Sequence, residues 1–271
     1  MQVSLSANEP AYAAGVFMND IDANIRPGRP LRHRRSVKMG LWALAGVGML
    51  AALFVVVWQI SRARCFSLVG PTLCRVDTTK PIVALTFDDG PTTVGVAAIL
   101  PVLARHHAHA TFFLIGREIE RHPELVRTLV ASRHQIGNHS YSHVRMIGYP
   151  QAFYRDEIER TDALIRANGG ATGLFRPPGA KKLLGLPLAV QRAHLLMVMW
   201  NVEDPRTDDP AAFAREIVAK ARPGSVILIH AMNSHNETAR RALPMILNGL
   251  EAKGLRAVSV GELMRQAEAS D

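Results

Sequence analysis

A chain of 271 residues has room for one sizeable domain and a tail, and 48% hydrophobic with 20% charged residues describes a folding chain, not a disordered one. Its formal charge of +9 is unevenly spread: residues 1–64 hold eight Lys and Arg against three acidic residues, the remainder 24 against 20. Basicity gathered round an N-terminal apolar run, with no aromatic interleaving, marks a membrane flank and argues against a nucleic-acid partner.

Residues 1–38, with Pro10, Pro27 and Pro30 and few large apolar side chains, are predicted to be a disordered basic tail on the cytoplasmic side. Met39–Trp58 then runs without a charge, and 39–60 is predicted to be a transmembrane helix. About twenty apolar residues at 1.5 Å each cross a hydrocarbon core of ~30 Å. Trp42 and Trp58 stand near its ends, where indoles favour the interface. Arg26, Arg29, Arg32, Arg34, Arg35 and Lys38 precede the span, and only Arg62 and Arg64 follow it closely. That bias predicts a single-pass protein of the inner membrane with its C-terminal domain periplasmic or otherwise extracytoplasmic. The run is longer than the 7–15 residues typical of a signal-peptide core and no small-x-small site follows it, so an uncleaved anchor is preferred.

Residues 61–78 are expected to form a juxtamembrane linker. Cys65 and Cys74, the two cysteines of the chain, both fall there, and an oxidising compartment predicts a disulfide between them.

From 79 to 271 the pattern is strand alternating with helix. Strands are predicted at 82–87, 110–115, 135–138, 173–176, 195–202, 226–230 and 256–260, with helices at 93–105, 123–132, 151–167, 210–221 and 237–253. Such alternation predicts an α/β domain of parallel βαβ units, as a barrel or an open sheet. Active sites of these architectures gather at the C-terminal ends of the strands. Asp88 and Asp89, His139, Arg176, the acidic cluster from Glu203 and His230 all follow predicted strands and so fall on one rim. His106, His107 and His109 precede a strand and belong to the opposite end, as surface loop.

Five segments carry the chemistry. In Thr86-Phe87-Asp88-Asp89-Gly90-Pro91, two adjacent carboxylates suit two tasks, one held by a divalent metal and the other free as a base. In His139-Ser140-Tyr141-Ser142-His143, two imidazoles four residues apart share a face if the segment is helical, a spacing that suits a metal. Arg176 in Phe175-Arg176-Pro177-Pro178-Gly179 can pair with a carboxylate and keep it ionised. Trp200 to Asp209 is an acidic stretch, and the buried-type strand Val226–Ile229 ends on His230, a candidate acid.

Together these segments resemble the polysaccharide deacetylase (NodB-homology) family of carbohydrate esterases over about residues 76–264. The resemblance implies a distorted (β/α)7 barrel and a hydrolase that removes N-acetyl groups from amino sugars in peptidoglycan, chitin-like glycan or exopolysaccharide. It implies one divalent ion, Zn2+ by default with Co2+, Ni2+ or Mn2+ as alternatives, held by Asp89, His139 and His143. Asp88 then falls on the general base, Arg176 on the arginine that orients it and His230 on the general acid. Gly179 and Tyr141 fall on positions contacting substrate or the oxyanion. Asp208, with Asp204 next in line, is the expected carboxylate for tuning His230. Two features depart from the family pattern: Gly179 replaces a common aromatic, and no tryptophan follows Asp208-Asp209. Two other readings remain, a deformylase or deacetylase of a lipid-linked sugar, and an inactive glycan-binding envelope protein.

Overall fold

The structure is a computed structural model that describes residues 33–269. The expected tail, 1–38, lies outside the described residues as far as residue 32. The chain divides into two compact units, 1–52 and 53–271. The described part of the first unit is helical and belongs to α1 (His33–Arg62), which continues into the second. Within α1, Lys38–Arg62 is 25 residues long with a mean hydropathy of 2.3 and none of its most apolar window buried. By length and composition it is the one helix among the described residues able to cross a membrane.

The second unit is α/β. Its elements run β1 (Thr72–Leu73), β2 (Ile82–Gly90), α2 (Thr93–Arg105), β3 (Thr111–Leu114), α3 (Gly116–Arg121), α4 (Pro123–Ala131), β4 (Gln135–Asn138) and α5 (Gln151–Ala167). Then come β5 (Leu174–Phe175), α6 (Gly185–Arg192), β6 (Leu196–Val198), α7 (Pro210–Lys220), β7 (Val226–Ile229), α8 (Glu237–Ala252), β8 (Arg256–Val258) and α9 (Val260–Glu268). The strands pair in parallel in the order β1-β6-β5-β4-β3-β2-β7, and β8 joins β2. The nine-residue β2 serves both: its first half pairs with β8 and its second half with β7. Single bridges, Val202 to Ile227 and Arg75 to Ser225, link the β6 and β1 side to β7, so the barrel is distorted where it closes. The expected linker 61–78 thus contains a strand of the sheet, because Thr72 and Leu73 pair with Met197 and Val198.

Alternation along β2 sets up the site. Val83, Leu85 and Phe87 pack with the helices in one apolar cluster, while Ile82 and Ala84 join the other, with Phe113, Phe175 and Leu228. Continued with a period of two, Thr86 and Asp88 share the side of Ile82 and Ala84. Helix α5 follows its own period: Tyr154, Glu157, Ile158, Thr161, Asp162 and Ile165 form its buried stripe, which includes two carboxylates. Gly137 is required by packing, since a Cβ there would meet the Phe113 ring at 2.5 Å. That ring supports the guanidinium of Arg176, whose Cζ lies 4.1 Å from its centroid.

Candidate active site

Asp88 ends the inward row of β2, and its Oδ1 accepts from Nη1 of Arg176 at 2.8 Å. Arg176 is wholly buried, and every arm of its guanidinium is used. Nη1 also donates to Thr86 Oγ1, Nε to the Val198 carbonyl and Nη2 to the Met199 carbonyl. The carboxylate is therefore held by a group fixed from β2 and from the end of β6. Period-two alternation would send Asp89 to the opposite side, but its backbone is left-handed, with φ 69°. Both carboxylates consequently approach one imidazole: Nε2 of His139 lies 3.7 Å from Asp88 Oδ2 and 3.7 Å from Asp89 Oδ1.

His139 follows β4 and His143 follows it by a loop, not by a helical turn. Ser140 and His143 have φ values of 61° and 58°, which break any helix and fold the loop back so that the two rings lie 4.8 Å apart. Nε2 of His143 is 3.1 Å from Asp89 Oδ1. The loop is fastened from α5: the Glu157 carboxylate accepts from the main-chain N–H groups of Tyr141 and Ser142. Asn138, itself bonded to Asp162 and to the Ile158 carbonyl, accepts from the N–H of Ser140.

The donor atoms of Asp89, His139 and His143 lie within 4.8 Å of one another, and this set fits a divalent transition metal. Nδ1–H of His139 donates to the Arg176 carbonyl at 2.7 Å, which orients the ring so that Nε2 is the atom facing the carboxylates. Burial pushes the Asp89 carboxyl up, yet the His139 and His143 imidazoles beside it and the charge of His230 outweigh it and hold it well below the usual carboxylate range. An ionised carboxylate beside two imidazoles is a ligand set in need of positive charge.

On the facing side, His230 follows β7 and is held by Asp204. Its main-chain N–H donates to both Asp204 oxygens, at 3.3 and 3.2 Å, and Nδ1 pairs with Oδ2 at 3.2 Å. Burial pushes the imidazole down, but the Asp204 hydrogen bond and the charges of Asp88, Asp204 and Asp89 raise it to about 9. Asn236, which caps α8, also donates to Asp204 at 3.4 Å.

Two expected site residues stand elsewhere. Asp208 is exposed on the loop before α7, where its carbonyl meets Thr238, so Asp204 takes the place beside His230. The reason is the path of the loop: Asp204 leaves the barrel directly after the Val202–Ile227 bridge, while Asp208 is already at the mouth of α7. Tyr141 is turned away, with its hydroxyl on Glu120 at 2.7 Å and Arg160 stacked 3.6 Å above its ring. The left-handed Ser140 diverts it from the face shared by His139 and His143. Gly179 lies in a short turn, Pro178–Ala180, with φ 58° and open space where a Cβ would stand. His106 pairs with Glu251 and His109 meets His134 edge to face, at the N-terminal end of β3.

Thr86, Glu157, Asp162 and Asn236 are site-supporting residues that sequence reasoning passed over. A signal existed for Glu157 and Asp162, since both carboxylates fall in the apolar phase of α5.

The polysaccharide deacetylase family model matches residues 75–195. The chain is 32% identical over 193 residues to a peptidoglycan-N-acetylglucosamine deacetylase of Bacillus cereus, covering 70% of each chain. It is 34% identical over 170 residues to a chitooligosaccharide deacetylase of Sinorhizobium fredii, covering 59% of this chain and 76% of that one. Among solved structures it is similar to a family 4 carbohydrate esterase from Streptomyces lividans in complex with acetate. There the TM-score is 0.60 and the identity 32%, covering 66% of this chain and 92% of that one.

Proposed function

This chain belongs to the polysaccharide deacetylase family, and on that premise we propose that it is a metal-dependent hydrolase removing N-acetyl groups from amino sugars of a cell-envelope glycan. The observation that carries the reading is the convergence at one rim of Asp88 on Arg176, the Asp89-His139-His143 triad, and His230 on Asp204. These are three complementary devices for amide hydrolysis.

Asp89, His139 and His143 would hold one divalent ion, with Zn2+ the default for two imidazoles and a carboxylate. Such an ion, when bound, polarises a carbonyl and activates water. Asp88, oriented by Arg176, takes the proton of the attacking water. The main-chain N–H of Gly179 donates to the oxygen that gains charge, a contact worth about 10²–10³ in rate in comparable sites. His230, held in its protonated form by Asp204, gives its proton to the departing sugar amine, and acetate leaves as the other product.

The apolar helix Lys38–Arg62 supports a single-pass protein of the inner membrane, with the catalytic unit on the extracytoplasmic side where envelope glycans lie. It equally favours a second substrate class, a lipid-linked amino sugar. The test is metal analysis of the full-length protein with acetate release measured on peptidoglycan, chitooligosaccharides, exopolysaccharide and a polyprenyl-linked N-acetylated sugar. Release from the polymers alone supports the first class, and release from the lipid-linked sugar alone supports the second. No release from any of them, with no bound metal, would return the protein to a glycan-binding role.

A further inference from the structure

The segment leaving the apolar helix is tied into the rim of the active site at three points. Nη2 of Arg64 pairs with Glu203 Oε1 at 2.8 Å, and the other Glu203 oxygen accepts from the indole N–H of Trp200 at 2.7 Å. The guanidinium of Arg64 also stands 5.3 Å from the Trp200 ring centroid, and that of Arg176 lies 5.4 Å from the same centroid. Second, Lys182 is 1% exposed and spends its ammonium on the carbonyls of Ala63, at 2.6 Å, and Arg64, at 3.0 Å. Third, Cys65 is disulfide-bonded to Cys74, next to β1, and Leu73 of that strand accepts from the N–H of Met199.

These ties meet where both halves of the site are built. Met199, just before Trp200, gives its carbonyl to Arg176, which orients Asp88; Glu203 is followed by Asp204, which holds His230. The Arg64–Glu203 pair is about 40% exposed, at 37% and 45% for the two side chains, so it adds little to folding stability. Its distinctive consequence is geometric: it fixes the short stretch 199–204 from which both arms hang. A buried lysine paired only with carbonyls is costly, and here it holds those carbonyls, hence Arg64, in place.

We propose that Arg64 is a positioning residue for the catalytic site, acting through Glu203 and Trp200 on the alignment of Asp204–His230 and of Arg176–Asp88. This rests on the hydrolase reading above. The segment 63–65 is then a working wall of the site, not a passive tether to the helix.

The test uses the full-length protein in detergent with Arg64→Ala, Arg64→Lys, Glu203→Gln and, as an exposed ion-pair control, Lys220→Ala. Two readouts are taken: steady-state acetate release from whichever glycan the wild type accepts, and amide exchange of the segment containing His230, whose N–H donates to Asp204. Arg64→Ala is expected to lower kcat on the order of tenfold to a hundredfold with KM within about twofold. Arg64→Lys should recover part of the loss, the Arg64→Ala, Glu203→Gln double variant should be no worse than the weaker single, and Lys220→Ala should match the wild type. Exchange at His230 should rise in Arg64→Ala and not in Lys220→Ala. Wild-type kcat in Arg64→Ala overturns the inference. If the wild type releases no acetate, the hydrolase reading fails separately, and unchanged exchange at His230 in Arg64→Ala then overturns the positioning role on its own.

Discussion

Asp204 grips His230 twice, taking the main-chain N–H with both carboxylate oxygens and pairing with the imidazole Nδ1 through Oδ2. One side chain therefore sets both where the ring stands and how strongly it holds a proton.

That grip predicts a pH signature. The folded-state pKa of His230 is raised to about 9, so the imidazolium persists from acid pH up to that value and is lost as pH rises through it. Asp204→Asn removes the charge that favours the imidazolium. The basic limb of the kcat/KM profile should move to lower pH and the plateau should fall. Asp208→Asn should leave both unchanged, since Asp208 faces solvent. An unshifted basic limb in Asp204→Asn would remove His230 from the role of acid.

Asp88→Asn keeps the shape of the side chain and the contact with Arg176 but abolishes the base. Turnover should fall by about 10²–10⁴ while the metal content of the purified protein stays at the wild-type level. A variant that keeps near-wild-type turnover would mean the proton leaves by another route.

Removing the arginine should be felt in stability as well as rate. Arg176→Met strands the buried Asp88 carboxylate without a counter-charge, and losing one partner of such a pair costs about 3–5 kcal/mol. Equilibrium denaturant unfolding of the variant in detergent measures this directly, and a loss under about 1 kcal/mol would show that Asp88 had become protonated or hydrated instead.

The metal site should report its supports. His143→Ala and Asp89→Asn should each reduce bound metal measured by elemental analysis, and chelation should abolish acetate release until Zn2+ is returned. Glu157→Gln should weaken metal affinity by roughly 10–100-fold without touching a ligand, because it loosens the two N–H groups that shape the His143 loop. Equal affinity in Glu157→Gln would show that the loop holds its form unaided.

Local pattern alone determined a large part of this molecule. Helices α2 and α5 begin and end where their periodicity says, at Thr93–Arg105 and Gln151–Ala167, because an amphipathic stripe and its flanking breakers lie within a few residues of each other. Strand ends bearing Asp88, His139, Arg176 and His230 were legible for the same reason, and so was the apolar run that became α1. Elements this short are marginal, since a turn or two of helix or a two-residue strand carries little pattern: α4 and β5 were legible, and α3, α6, α9 and β1 were not. Only the tertiary structure decided which of Asp204 and Asp208 meets a histidine 26 residues from the first of them. It also decided that the two imidazoles meet through a left-handed loop, that Tyr141 turns to Glu120, and that Arg64 reaches Glu203 across 139 residues. Each depends on the course of a loop in space. Side-chain periodicity describes neighbours along the chain, and these partners are neighbours only once the barrel has closed.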